Sequence, residues 1–346
     1  MRYRIFGSTG LKVSSLALGT GNFGTGWGYG SERDEAKTVF DTYRAAGGNF
    51  IDTADSYQFG DSETILAEFI KAEREDIVLA SKFSLGASPD AGLQRTGNSR
   101  KAMVQAVDAS LKRLDTDRID LLWVHMPDGV TPSEEIARGL DDLVRAGKIL
   151  YAGLSDFPAW RVATAATIAE MRGWAPISAL QIEYSLVERT VERELLPMAA
   201  AFGLGTVAWS PLGGGLLSGK YRQGETGRKQ GLGVVIHDES DARKTATVDA
   251  VLAIANELGV SAAQVAIAWV LSKGVLPIIG PRTLKQLDDN LGALAVSLSA
   301  EQLARLDAAS ATPLGFPHDV VNAERTRSRL AGGKADLLDY PLTPVR

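Results

Sequence analysis

Cysteine is absent from the 346 residues. That removes disulfides, thiolate nucleophiles, iron–sulfur clusters and Cys-ligated zinc together. Histidine is almost as scarce, with three residues at positions 125, 237 and 318 and no H-x-x-x-H pair, so no metal site is expected. No segment approaches about 18 uninterrupted apolar residues, and the N-terminal stretch holds no run long enough for a signal peptide. The chain therefore reads as soluble and cytoplasmic, without a membrane partner. Excess positive charge is missing too: 37 Lys and Arg stand against 42 Asp and Glu, a net charge of −5. With a pI near 5.4, a surface built to neutralise nucleic-acid phosphates is not expected.

What remains is an ordinary globular composition, 45% hydrophobic and 23% charged, with ample material for a core. Eight short apolar runs recur: SLALG at 15–19, NFID at 49–52, IVLASK at 77–82, IDLLWVH at 119–125, ILYAGLS at 149–155, ISALQIEY at 177–184, LGTVAWS at 204–210 and GVLPIIG at 274–280. Each is too short for a helix and apolar on both alternating faces, the pattern of strands buried in a parallel sheet. Helical stripes lie between them, such as Ala36, Val39, Phe40 and Tyr43, or Ile136, Leu140, Leu143 and Val144. Ser31, Ser133 and Ser299 are expected to start helices, with Gln302 completing a capping box, and Gly47, Gly48 and Gly147 to end them.

Most strand starts from 49 onward lie about 27 to 42 residues apart, the length of a strand–helix unit. Eight such units predict an α/β fold: a (β/α)8 TIM barrel with extended βα loops, filling residues 1–346 as a single domain. A doubly wound open sheet competes, because periodicity does not distinguish closure from an open edge. The opening MRYRIFGSTGLKVSS reads as a β-hairpin turning at Ser8-Thr9-Gly10. A gap of about 70 residues before GVLPIIG holds a polar stretch, Tyr221 to Arg243, expected to be a mobile loop, and two helical patterns, Lys244–Leu258 and Ser261–Ser272.

Two glycine motifs match familiar signatures without their context. Gly19 to Gly24 spells G-x-G-x-x-G, but Gly and aromatic residues continue to Gly30 where a helix should open. Gly214 to Lys220 spells G-x-x-x-x-G-K, but Tyr221 stands where a Ser or Thr would hold magnesium.

The chemistry gathers where the apolar runs end: Asp52 and Tyr57 after NFI, Lys82 after IVLAS, His125 after IDLLWV. In a barrel these carboxyl ends form the active-site face. Taken one by one, Asp52 and Lys82 make a buried ion pair, His125 a core histidine and Tyr57 a loop aromatic. Together they are too many charges at strand ends to serve structure alone. A phenol with a solution pKa of about 10 becomes a usable general acid beside an ammonium that favours the phenolate. Asp52 would hold Lys82 oriented, while His125 would position a substrate oxygen or share the proton load. Such a set gives a proton to a carbonyl oxygen as hydride reaches its carbon, and hydride must come from a cofactor.

From about residue 3 to 310 the chain resembles the aldo-keto reductase family. The resemblance rests on Asp52-Thr53-Ala54-Asp55-Ser56-Tyr57 with Ser62-Glu63, Lys82, His125 in LLWVHMPD, Gly153-Leu154-Ser155-Asp156 and Gln181 in ALQIEYSL. It continues through Trp209-Ser210-Pro211-Leu212-Gly213-Gly214-Gly215 and Gly280-Pro281-Arg282 with Gln286 and Asn290. It implies NADPH-dependent reduction of an aldehyde or ketone by Asp52, Tyr57, Lys82 and His125, with alcohol oxidation as the reverse. It further implies that Thr20, Gly21 and Asp52 adjoin the cofactor, that Ser155, Asp156 and Gln181 hold the nicotinamide carboxamide, and that Trp209 stacks on the ring. Ser210, Leu212 and Lys220 would line the pyrophosphate, and Gly280, Arg282, Gln286 and Asn290 the adenosine end, where a guanidinium suits the 2′-phosphate of NADPH/NADP+. Asp156 replaces the usual Asn, Trp209 a common Tyr, and Gln58 a frequent Gly. An ionised Asp156 accepts from the carboxamide NH2 but cannot donate to its oxygen.

Trp27, Phe83 and Met126, with Tyr57 and His125, are the expected walls for a small-molecule carbonyl substrate. Residues 311–346 are open to two roles, a substrate-facing loop or a subunit contact. A regulatory or redox-sensor subunit holding a nicotinamide cofactor with little turnover is the alternative function, and a redox-free isomerase or lyase barrel a third.

Overall fold

The computed structural model describes residues 1–224, 237–341 and 343–345. Eight parallel strands close into a barrel: β3 (Ala17–Gly19), β4 (Phe50–Asp52), β5 (Val78–Phe83), β6 (Ile119–Val124), β7 (Ile149–Ser155), β8 (Ile177–Glu183), β9 (Gly205–Trp209) and β10 (Leu276–Ile279), with β10 pairing back to β3. Closure excludes the open sheet. The hairpin precedes it as β1 (Tyr3–Ile5) and β2 (Lys12–Ser14), paired antiparallel with Ile5 opposite Lys12.

Strand period two sorts each side chain to one of two cores. Phe50, Val78, Ala80, Leu121, Trp123, Ala179, Val207, Leu276 and Ile278 point inward and fill the barrel. Ile51, Leu79, Leu122, Val124, Leu154, Leu180 and Ala208 point outward against the helices. The hairpin seals the amino-terminal end, where Phe6 meets Phe50 edge to face at 5.6 Å between ring centres. Chemistry is left to the opposite mouth.

The surrounding helices include α1 (Arg33–Ala45), α2 (Asp61–Ile70), α3 (Arg100–Arg113), α4 (Ser133–Arg145), α5 (Ala159–Arg172) and α6 (Leu195–Phe202). They continue with α7 (Ala242–Leu258), α8 (Ala262–Ser272), α9 (Leu284–Gly292) and α10 (Ala300–Ala309). Ser299 caps α10 in the expected box with Gln302. Two other expected starts are displaced by one residue. Glu32, not Ser31, is the N-cap of α1, because the Ser31 hydroxyl donates instead to the Arg282 carbonyl at 2.6 Å. Ser133 is the first helical residue of α4 behind Pro132.

Of the stretch Tyr221–Arg243 expected as a mobile loop, residues 225–236 lie outside the described residues; Lys220–Gln223 forms a 3-10 turn and α7 begins at Ala242. No single helix among the described residues is long and apolar enough to cross a membrane. After α10 the chain runs over the surface, held where Arg193 donates to the Pro313 carbonyl at 2.8 Å and His318 pairs with Glu194 at 3.0 Å.

Candidate active site

Inward positions at the strand ends build the site. Phe50 points in, so Asp52 does; Ala80 points in, so Lys82 does. Lys82 is fully buried and uses its three N–H donors on the Asp52 carboxylate, the Thr53 carbonyl at 2.9 Å and the Tyr57 hydroxyl at 3.0 Å. Burial pulls the ammonium's pKa down, but the Asp52 carboxylate and Tyr57 more than offset this, and the net shift is upward. The other Asp52 oxygen accepts the Trp123 indole N–H at 3.0 Å and the Gln181 amide at 2.9 Å. Trp123 fits inside the barrel because Gly153 faces it: a Cβ there would stand 2.5 Å from the indole.

Tyr57 begins a 3-10 turn, Tyr57–Gly60, in which Gln58 and Phe59 take left-handed conformations with φ of 53° and 58°. Its ring lies under Lys82 Nζ at 4.7 Å and edge to face with His125 at 5.9 Å and with Trp27 at 6.0 Å. Burial, followed by the Lys82 charge, drives the His125 pKa down to about 3, and its Nδ1 has no hydrogen-bond partner among the described residues. The imidazole is therefore neutral near pH 7, equipped for hydrogen bonding and not for cationic acid chemistry.

A cleft of about 630 Å3 opens over these groups, within the range of small-molecule and cofactor sites. Trp27, Tyr29, Tyr57, His125 and Met126 line one end; Ser155, Asp156, Gln181 and Trp209 stand at the barrel mouth. The cleft continues along Ser210, Leu212, Gly214, Gly215 and Lys220 to Gly280, Gln286 and Asn290, with Gly21 and Asn22 beside Gly280. The buried Ser155 hydroxyl, next to Asp156, makes no hydrogen bond of ordinary geometry among the described residues. Asp156 is open to the cleft yet walled by protein. Burial raises its pKa to about 6 against the Trp209 indole N–H, which donates to it at 2.9 Å.

Four expected site residues do not line the cleft. Lys82 is fully buried and meets it only through the Tyr57 hydroxyl. Phe83 is one residue past inward Lys82 and so points outward, buried against the helices. Thr20 likewise follows inward Gly19; it is fully buried and its hydroxyl meets that of Ser62 at 2.9 Å. Arg282 sits just beyond the rim at Pro281, its guanidinium stacked on Tyr29 at 4.6 Å. No carboxylate pairs with that guanidinium among the described residues. No residue of 311–341 lines the cleft.

With this geometry the comparisons with known proteins agree. The family model described as "Aldo/keto reductase family" matches residues 15–311. The chain belongs to the aldo/keto reductase family. Among its relatives is a norsolorinic acid reductase of Aspergillus flavus, 38% identical over 93% of this chain and 84% of that protein. An aldo-keto reductase of Aspergillus calidoustus is 35% identical, covering 95% and 87%. An uncharacterized oxidoreductase of Bacillus subtilis is 38% identical, covering 89% and 95%. This aldo/keto reductase is thus an oxidoreductase on a (β/α)8 barrel.

The reductase site also contains residues that sequence reasoning did not assign. Trp123 was legible as a strand residue but not as the donor to Asp52. Gln181, expected to face the cofactor, lines the cleft, and its amide donates in addition to Asp52, a contact not read from the sequence. Gln58 is fully buried and makes three hydrogen bonds to the loop after β3: its amide donates to the carbonyls of Gly21 (2.8 Å) and Tyr29 (3.0 Å), and its carbonyl accepts from the Trp27 N–H (2.9 Å). Buried Glu63 accepts from Ser81 and from Arg113 at 2.8 Å, and Asp55 lies near it with Oδ1 unpartnered among the described residues. Burial, then the Glu63 charge, raises the Asp55 pKa to about 7.

Proposed function

We propose that this aldo/keto reductase is an NADPH-dependent carbonyl reductase in which Tyr57 is the general acid. The observation that carries the reading is the Tyr57 hydroxyl, hydrogen-bonded at 3.0 Å to a Lys82 ammonium whose other donors are fully engaged inside the barrel. A purely structural Asp52–Lys82 pair has no need of a phenol opening into a cleft.

The residues fit a nicotinamide dinucleotide. Two buried polar atoms at or beside the barrel mouth, Ser155 Oγ and His125 Nδ1, have no hydrogen-bond partner among the described residues. An aromatic face, Trp209, lines the mouth, and backbone-rich turns with Lys220 line the far end. Bound there, the reduced cofactor supplies hydride. Ser155, Asp156 and Trp209 would hold its nicotinamide end, Ser210, Leu212 and Lys220 its phosphates, and Gly280, Gln286 and Asn290 its adenosine.

Tyr57 donates its proton to the substrate oxygen, and Lys82 stabilises the phenolate that remains. Asp52 keeps the ammonium charged and aimed. Neutral His125 holds the same oxygen by a hydrogen bond, which fixes the carbonyl face presented for reduction. Trp27, Tyr29 and Met126 exclude water around an apolar carbonyl compound.

Arg282 is the basis for choosing NADPH over NADH. Its guanidinium lies over the Tyr29 ring at 4.6 Å without a carboxylate partner among the described residues, ready for a phosphate. Titration of tryptophan fluorescence with each reduced nucleotide tests the reading. Tight binding that prefers NADPH, with the preference lost in Arg282→Ala, is expected; no binding of either nucleotide would defeat it.

A further inference from the structure

Asp156 carries a charge that the reaction above does not use. It follows β7 in the left-handed region, φ 58°, with its backbone N–H donating to the Gln181 carbonyl at 3.1 Å. Its Oδ1 accepts the Trp209 indole N–H at 2.9 Å. An amide oxygen would accept that bond equally well, so the hydrogen bond alone gives no reason for a carboxylate.

The other charges near it fall into a pattern. Lys82 and Asp52 neutralise each other inside the barrel. Glu183, ending β8, adds a second carboxylate on the Asp156 side, with His237 hydrogen-bonded to it at 2.8 Å. Tyr57 and neutral His125 complete that wall. At the far end Lys220 lines the cleft and Arg282 lies beyond Pro281, while Asp289 there is engaged by the Gln264 amide at 3.1 Å. The cleft is acidic at the barrel mouth and basic at its far end.

We propose that Asp156 sets the redox preference of the site, favouring the oxidised, cationic nicotinamide over the reduced, neutral one. The inference rests on the cofactor reading above. A nicotinamide able to reach a carbon whose oxygen lies on Tyr57 and His125 must occupy the barrel mouth, beside Asp156. A hydrogen bond from the carboxamide NH2 to the carboxylate is common to both forms, but only the pyridinium ring adds a charge attraction to offset the water the carboxylate loses. Tighter binding of the oxidised form makes the bound couple more reducing, by about 30 mV for each tenfold in the affinity ratio of a two-electron couple. Asp156 thereby strengthens the drive toward carbonyl reduction on the protein and slows departure of the oxidised cofactor.

Asp156→Asn is the decisive variant: it is isosteric, keeps an acceptor for Trp209 and tolerates a left-handed backbone. Dissociation constants for NADP+ and NADPH would be measured separately by fluorescence titration at about pH 8. In the variant the affinity for NADP+ should fall about tenfold relative to that for NADPH. Equal changes for both forms would overturn the inference while leaving the cofactor reading intact. Failure of the unaltered protein to bind either form would sink both.

A second arm needs no variant. Because burial lifts the Asp156 carboxyl to about 6, the unaltered protein's preference for NADP+ should weaken as pH falls through that value. Asp156→Asn should retain only whatever dependence Glu183 and His237 contribute. A ratio that stays flat in the unaltered protein between about pH 5 and 8 would contradict the proposal.

Discussion

The side-chain carbonyl of Gln58 accepts the main-chain N–H of Trp27 at 2.9 Å, tying the turn that begins at Tyr57 to the loop that walls the cleft. Gln58 pays for this with a left-handed backbone, φ 53°, costing about 1–2 kcal/mol for a residue with a side chain. Three partly buried hydrogen bonds offset that cost at about 1 kcal/mol each. Gln58→Ala keeps the strain and loses the bonds. It should lower stability by about 1–3 kcal/mol and raise KM for carbonyl substrates more than it lowers kcat, as steady-state kinetics would show. An unchanged KM would mean that Trp27 holds its place without Gln58.

Asp55 gives a pH-dependent prediction. Its folded pKa, about 7, lies above the ordinary carboxyl value of 3.8, so between those values the folded chain binds more protons than the unfolded one. Stability from this group is therefore full below about pH 4 and is lost as pH rises through about 7. Asp55→Asn should be more stable than the unaltered protein at pH 8, by a few kcal/mol at most, with the difference shrinking toward pH 5. Denaturant unfolding at the two pH values checks it; an equal difference at both would show that Asp55 is ionised throughout.

The buried pair Lys82–Asp52 should behave asymmetrically. Lys82→Met leaves Asp52 buried without its cation and should cost about 3–5 kcal/mol. Adding Asp52→Asn removes the stranded charge, so the double variant should regain much of that stability while remaining inactive. A double variant no more stable than the single one would show that Asp52 is neutralised by other groups.

Phe83 and Met126 separate packing from recognition. Phe83→Ala empties space between barrel and helices and should cost about 3–5 kcal/mol, with little change in KM for the folded protein. Met126→Ala should leave thermal stability nearly unchanged and raise KM for apolar substrates. Reversed effects would return Phe83 to the cleft.

The parallel sheet was legible because its strands are short runs apolar on both alternating faces, and the count of eight strand–helix units pointed to a barrel, although closure itself left no mark in the periodicity; Asp52, Lys82 and His125 were legible as polar residues ending such strands. Period two also held the answer for Phe83 and Thr20: with Lys82 and Gly19 facing in, their neighbours face out. What could not be read were contacts made across the barrel. That Trp123 and Gln181 reach Asp52 depends on Gly153 leaving room and on how closure brings β4, β6 and β8 together, and no local pattern encodes it. Ser31 failed as a cap for a similar reason, since its hydroxyl serves Arg282, 251 positions away.

Tyr57→Phe tests the central claim most directly. The substitution removes the hydroxyl alone, leaving a ring that still packs against Lys82, His125 and Trp27. With NADPH bound and a reactive aldehyde added, a single-turnover measurement at the reduced-nicotinamide absorbance band should show hydride transfer slowed by about 100-fold or more, with NADPH affinity unchanged. Transfer at near the original rate would contradict the assignment of Tyr57 as the proton donor.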